Sequence, residues 1–233
     1  MLILAFETSA KAASVALTED GKLLGESYQN TGLTHSQTLL TMAEDLMKTC
    51  GCDVNDITHV AVAAGPGSFT GVRIGVAAAK GFAWGRQLPC IGVSTLEAMA
   101  LSLGAYQGYV CAVMDARRSQ VYNALFRVDC GNYTRICEDR AVSLQELGED
   151  IQNLQEPVFL VGDGSNLCYN TLLEKAPHLV LPAEHRMHQR ASGVALAAAE
   201  AIRSGAQFDG AALTPNYLRL SQAERERLAK EKA

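Results

Sequence analysis

The first hundred residues alternate short apolar runs with polar turns and stretches of helical period. Leu2 to Phe6 is an apolar run of strand length, and Ser14 to Thr18 follows the polar turn Glu7-Thr8-Ser9 as a second strand. Asp20-Gly21 tolerates positive φ and predicts a hairpin into a third strand, Leu23 to Tyr28. From Thr34 to Cys50 the period lengthens: Leu39, Ala43, Leu46, Met47 and Cys50 share one face of a helix, with Thr34 and Gln37 placed for a capping box. Val60 to Ala64 is a fourth strand, Phe69 to Gly85 a helix and Cys90 to Val93 a fifth strand. Ser94 and Glu97 open a further helix that runs to about Leu103.

The second half repeats that order without repeating the residues. Tyr109 to Asp115, Gln120 to Val128 and Tyr133 to Glu138 read as strands. In the middle one, Val121, Asn123, Leu125 and Arg127 oppose Tyr122, Ala124, Phe126 and Val128. Ser143 and Glu146 cap a helix to about Asn153. A strand (Val158 to Gly162), a helix (Asn166 to Lys175), a short strand (His178 to Leu181) and an Ala-rich helix (Ser192 to Ser204) complete the half. Each half thus reads strand-strand-strand-helix-strand-helix-strand-helix. That order predicts an α/β fold of two tandem actin/hexokinase/Hsp70-like lobes (ASKHA, ribonuclease H-like), each a mixed sheet with helices. The expected division is residues 1–104 and 105–220, with the boundary near Gly104 to Gly108 and a charge-dense tail at 221–233.

Composition narrows the function. With 233 residues, 48% hydrophobic content and few charges, the chain has enough apolar material for a large core. A formal charge of −5 argues against unaided binding to nucleic acid, which depends on a basic surface. The seven cysteines show no zinc-type pairing, and Cys50-Gly-Cys52 is too tight for a Cys-x-x-Cys site, so reduced cytoplasmic thiols are the plain reading. The opening run is too short for a signal peptide, and no apolar run is long enough to cross a membrane.

Candidate chemistry gathers in turns. Gly65-Pro66-Gly67-Ser68 joins a strand to a helix N-terminus, a common anion-binding arrangement, but no lysine follows to make a phosphate loop. The helix beyond it carries a small residue at every fourth position: Gly71, Gly75, Ala79 and Ala83. The turn at Phe6 to Ser9 is either a phosphate cradle or an ordinary hairpin whose hydroxyls satisfy their own backbone. Asp115 to Ser119 holds a carboxylate and an Arg pair but no glycine. Gly162-Asp163-Gly164-Ser165 fits a nucleotide or a plain strand-to-helix turn. His185 and His188 lie in a cationic stretch, and His35 and His59 read as structural. Neither a His-Glu-x-x-His motif nor a Gly-x-Ser-x-Gly elbow is present, and no metal ligand set or cofactor is expected.

Four segments carry a resemblance: Ile3-Leu-Ala-Phe-Glu-Thr-Ser9, Thr34-His-Ser36, Ala64-Gly-Pro-Gly-Ser-Phe-Thr-Gly-Val-Arg-Ile-Gly75 and Pro215-Asn-Tyr-Leu-Arg219. Together they resemble the bacterial TsaB (YeaZ) family. The resemblance implies a non-catalytic subunit needed for N6-threonylcarbamoyladenosine beside the tRNA anticodon. In that family the related protein TsaD transfers the threonylcarbamoyl group from its adenylate, TsaE is an ATPase partner and TsaC acts in the same pathway. It further implies a direct heteromer with TsaD, a homodimer when TsaD is absent, and contact with tRNA only through the complex. Where TsaD carries a metal-binding His-x-x-x-His, this chain has Thr95 and Met99, neither a hard-metal ligand. The partner interface implied on the two helices comprises His35, Leu39, Ala43, Leu46, Phe69, Val72, Arg73, Gly75, Val76, Ala79, Lys80 and Ala83. The alternatives are a nucleotide-binding or nucleotide-hydrolysing enzyme of the actin-like superfamily and, further off, a peptidase.

Overall fold

The computed structural model describes residues 1–104, 107–206, 208 and 210–219. The chain order is β1 (Leu2–Glu7), β2 (Ala13–Glu19), β3 (Lys22–Gln29), α1 (His35–Cys50), β4 (His59–Gly65), α2 (Phe69–Trp84), β5 (Cys90–Ser94) and α3 (Thr95–Leu103). The second half follows with β6 (Gly108–Arg117), β7 (Gln120–Asp129), β8 (Asn132–Arg135), β9 (Arg140–Ser143), α4 (Leu144–Ile151), β10 (Val158–Val161), α5 (Ser165–Leu172), β11 (Leu179–Val180), α6 (Glu184–Met187) and α7 (Ala191–Arg203). The first sheet runs β3-β2-β1-β4-β5 and the second β11-β10-β6-β7-β8, with β9 also paired to β7. In both, the long hairpin strands are antiparallel and the later strands join in parallel through helical crossovers. This is the two-lobed actin-like arrangement predicted from the element order.

The hydrophobic pattern explains the layers. On one face of the first sheet Leu4, Phe6, Val15, Val60 and Val62 pack under α1 and α2. On the other face Ile3, Ala5, Ala16, Ala61, Ala63 and Ile91 meet α7. In the second sheet Val121 and Leu125 face α4 and α5, while Tyr122, Ala124, Phe126 and Val128 face α3, as the alternation in β7 predicts. The helices therefore cross the chain division drawn at residue 104: α3 lies on the second sheet, and α7, encoded near the end of the chain, lies on the first. The expected tail at 221–233 lies outside the described residues. Among the described residues no helix is long and apolar enough to cross a membrane.

Local signals hold in part. Asp20 and Gly21 both take positive φ in the β2–β3 turn. Ser143 and Glu146 form a full capping box. At α3, Ser94 accepts from the Glu97 N–H as an N-cap, while the Glu97 carboxylate pairs with Arg135. At α1 the Thr34 side chain makes no cap bond, a correction to the box expected there. Strand β9 and the short α6 had no sequence signal, and β8 ends earlier than expected.

Candidate interlobe site and partner face

Every turn singled out in the sequence for chemistry arrives at one place. A cleft of ≈ 620 Å³ between the lobes is lined by Ser9, Ala10 and Lys11 of the β1–β2 turn, by Gly67 to Thr70 at the start of α2, by Met114 to Arg117 at the end of β6, by Tyr122, and by Asp163. Short turns at the ends of parallel strands put them there, as in other open α/β sheets. His35 fixes one edge: its Nε2 lies 2.8 Å from the Ala10 carbonyl, so that nitrogen carries the proton and donates.

Behind the cleft lies Glu7, visible in the sequence only as part of the Phe6 to Ser9 turn. It ends an otherwise apolar strand and is 1% exposed. Its Oε1 accepts the Ser9 N–H at 2.5 Å, while Oε2 has no partner among the described residues. Burial pushes its carboxyl up to about 7, against the opposing pull of the bonds from Ser9, and the neighbouring Asp163 charge adds to the rise. The signal available in the sequence was a carboxylate directly after five apolar residues.

Asp163 opens to the cleft, yet the protein packed around it raises its carboxyl, and the Asp115 charge raises it further. Gln189 donates to its Oδ1 at 3.4 Å. Asp115 accepts the Arg117 N–H at 2.7 Å, which closes the tight turn into β7. Arg117, Arg118 and Ser119 all have φ near +60°, a conformation that favours glycine and that this glycine-free turn adopts nonetheless. Ser165 is fully buried, and among the described residues its hydroxyl has no partner. The cleft therefore holds carboxylates, a carboxyl behind them that titrates at about 7, and the cations Lys11 and Arg117. Among the described residues no hydroxyl or thiol that lines the cleft is hydrogen-bonded to a histidine, and no His/Cys/Asp/Glu cluster is arranged to hold a metal. His185 sits on α6, and His188, just after it, bonds to Glu184.

The expected partner face divides in two. Leu39, Ala43, Leu46, Val72, Gly75, Val76, Ala79 and Ala83 are buried against the chain's own first sheet. Their small side chains serve an internal fit: Thr8 Oγ1 donates to the Gly71 carbonyl at 2.8 Å, and a Cβ at Gly75 would overlap that same hydroxyl. In this chain these eight residues belong to the core beneath α1 and α2. His35, Phe69, Arg73 and Lys80 retain exposed surface. The outward side of α2 is instead Thr70, Arg73, Ala77, Gly81 and Trp84, with open space over Gly81. Trp84 is 78% exposed, Leu33 58% and Leu40 57%, the highest values among the exposed large hydrophobics. All three lie on or beside α1 and α2. Thr95 and Met99 are buried on α3, with Met99 inside the core beneath the second sheet.

Comparison with known proteins gives this arrangement a family. The family model described as "TsaD: tRNA N6-adenosine threonylcarbamoyltransferase" matches residues 29–227. The tRNA threonylcarbamoyladenosine biosynthesis protein TsaB of Bacillus subtilis is 32% identical over 227 residues, covering 96% of each chain. The protein of the same name from Escherichia coli is 40% identical over 167 residues, covering 70% of this chain and 72% of that one. A crystal structure from Pseudomonas aeruginosa, described as an uncharacterized protein with similarity to peptidase YeaZ, superposes with a TM-score of 0.78 at 27% identity. It covers 94% of this chain and 99% of its own. With the two-lobed fold, the Gly-Pro-Gly turn at the head of α2 and relatedness along nearly the whole length, the chain belongs to the TsaB family.

Proposed function

We propose that this protein is a non-catalytic subunit required for threonylcarbamoyladenosine formation on tRNA, and that it binds and activates TsaD, the transferase. The observation that carries the reading is the outward side of α1 and α2. Leu40 and Trp84 stand in solvent there, and Ala77 and Gly81 leave α2 low enough for another helix to approach. A partner built on the same fold offers a matching helix pair, which also accounts for a two-fold homodimer when that partner is absent. TsaE and TsaC join through the pathway, tRNA is met only within the complex, and the compartment is the cytoplasm. Packing supports a subunit without its own transferase chemistry: Met99 is committed to the core.

The test combines light scattering of the mixture with TsaD and a threonylcarbamoyl-transfer assay with and without this chain. Heteromer formation and dependent transfer are expected. Both should be lost in Ala77→Leu/Gly81→Leu, a variant that leaves the buried face intact. Full association in that variant would remove the interface assignment, and undiminished transfer without this chain would remove the function. A second reading, nucleotide binding in the interlobe cleft, draws on the turns that converge there. ATP turnover by the isolated chain, abolished by Asp115→Ala, would favour it. Peptidase activity would have to survive stringent purification and disappear on changing a single polar residue of the cleft.

A further inference from the structure

We infer that residues 211–219 are an interlobe clasp that holds the cleft closed and ties its two walls to the outward side of α2. The segment has no helix or strand of its own, yet it is fastened along its length. Lys80 Nζ donates to the carbonyls of Ala211 and Leu213, both at 3.0 Å. The Asn216 N–H donates to the Ala64 carbonyl at 2.6 Å, at the end of β4. The Tyr217 ring stacks on Phe69 with centroids 4.5 Å apart, and Arg73 Nε donates to its hydroxyl at 2.6 Å. Arg219 then reaches the other lobe, where its Nη1 donates to the Ala116 carbonyl at 2.7 Å. Phe69 and Ala116 line the cleft from different lobes, so the segment bridges its two walls.

The first sheet is shaped to seat it. Gly65 has φ +119°, and a Cβ there would overlap the Asn216 carbonyl. A Cβ on Gly92 would overlap the Leu213 side chain. A tail resting loosely on the surface would need neither position bare. The helices α3 and α7 join the lobes on the side of the sheets, and a fastened crossing segment at the turns adds a restraint on relative motion there. Phe69, Arg73 and Lys80 belong both to the clasp and to the exposed part of α2. A partner seated on α2 therefore touches the device that sets the cleft.

Hydrogen exchange on the full chain tests this, comparing the original protein with Tyr217→Ala and Arg219→Gln. A ring stack and its hydrogen bond together protect by about tenfold or more. Tyr217→Ala should therefore speed exchange about tenfold at residues 64–70 and 113–120, and leave α4 unchanged. Arg219→Gln should loosen residues 113–120 while 211–217 stay protected, which separates loss of the clasp from general unfolding. Faster exchange confined to 211–219 in both variants, or equal acceleration in α4, would overturn the inference.

Discussion

Glu7 gives this protein a stability that falls as the solution becomes more basic. In the unfolded chain its carboxyl titrates at the ordinary 4.5, and in the folded protein at about 7. Between those values the folded state holds a proton that the unfolded state has released, so stability declines with rising pH. Below 4.5 the group has no effect, and above 7 its cost is constant. Two and a half units at about 1.4 kcal/mol each amount to about 3 kcal/mol. Glu7→Gln removes the titration and keeps an oxygen to accept the Ser9 N–H. Urea unfolding of both proteins at intervals from pH 4.5 to 8 isolates the term, because titrating groups that do not couple to Glu7 cancel in the difference. The variant should gain about 3 kcal/mol on the original across that range, whatever constant offset the amide introduces. Parallel stability curves would falsify the assignment of a buried carboxyl behind the cleft that titrates at about 7.

Other consequences follow from the same packing. Gly75→Leu should destabilise the fold by about 3 kcal/mol or more, since Thr8 and the sheet lie where the side chain would go. Gly81→Ala, over open space in the last turn of α2, should stabilise by about 0.5 kcal/mol. Denaturant midpoints distinguish the two. Glu26 accepts from Ser192 N at 3.0 Å and pairs with Arg190 at 2.9 Å, capping α7 from the opposite half of the chain. Glu26→Ala should cost about 2 kcal/mol, read by chemical unfolding. A thiol reagent at pH 8 should label exposed Cys130 first. Cys168, pushed up to about 12 by burial, and the equally buried Cys111 should react only on unfolding.

What the sequence made legible was local. Alternation in β7 assigned both of its faces correctly because the two are covered by different helices, and the turns bearing candidate chemistry were visible from their glycines and hydroxyls. That they share one cleft depends on sheet order, which no single turn encodes. The stripe Gly71, Gly75, Ala79 and Ala83 lies against the sheet, but α2 is apolar or small on most sides and periodicity cannot say which side meets it. The side over Thr8 was settled by contact, since only there does a side chain at Gly71 or Gly75 collide. The same limit hid α7: an Ala-rich helix gives no sign of which of two sheets it will cover.

The position of α7 has a bearing on how the protein is made. During synthesis, Ile3, Ala5, Ala16, Ala61, Ala63 and Ile91 leave the ribosome long before Ala191 to Ala199, the residues that cover them. The first sheet must wait with one apolar face bare for roughly a hundred residues, several seconds to tens of seconds at ordinary elongation rates. A nascent chain in that state is a substrate for chaperones and open to premature association. A fragment ending near residue 104 would carry the bare face permanently. The first sheet is therefore completed only after the second has been made, and its closure waits on the synthesis of α7.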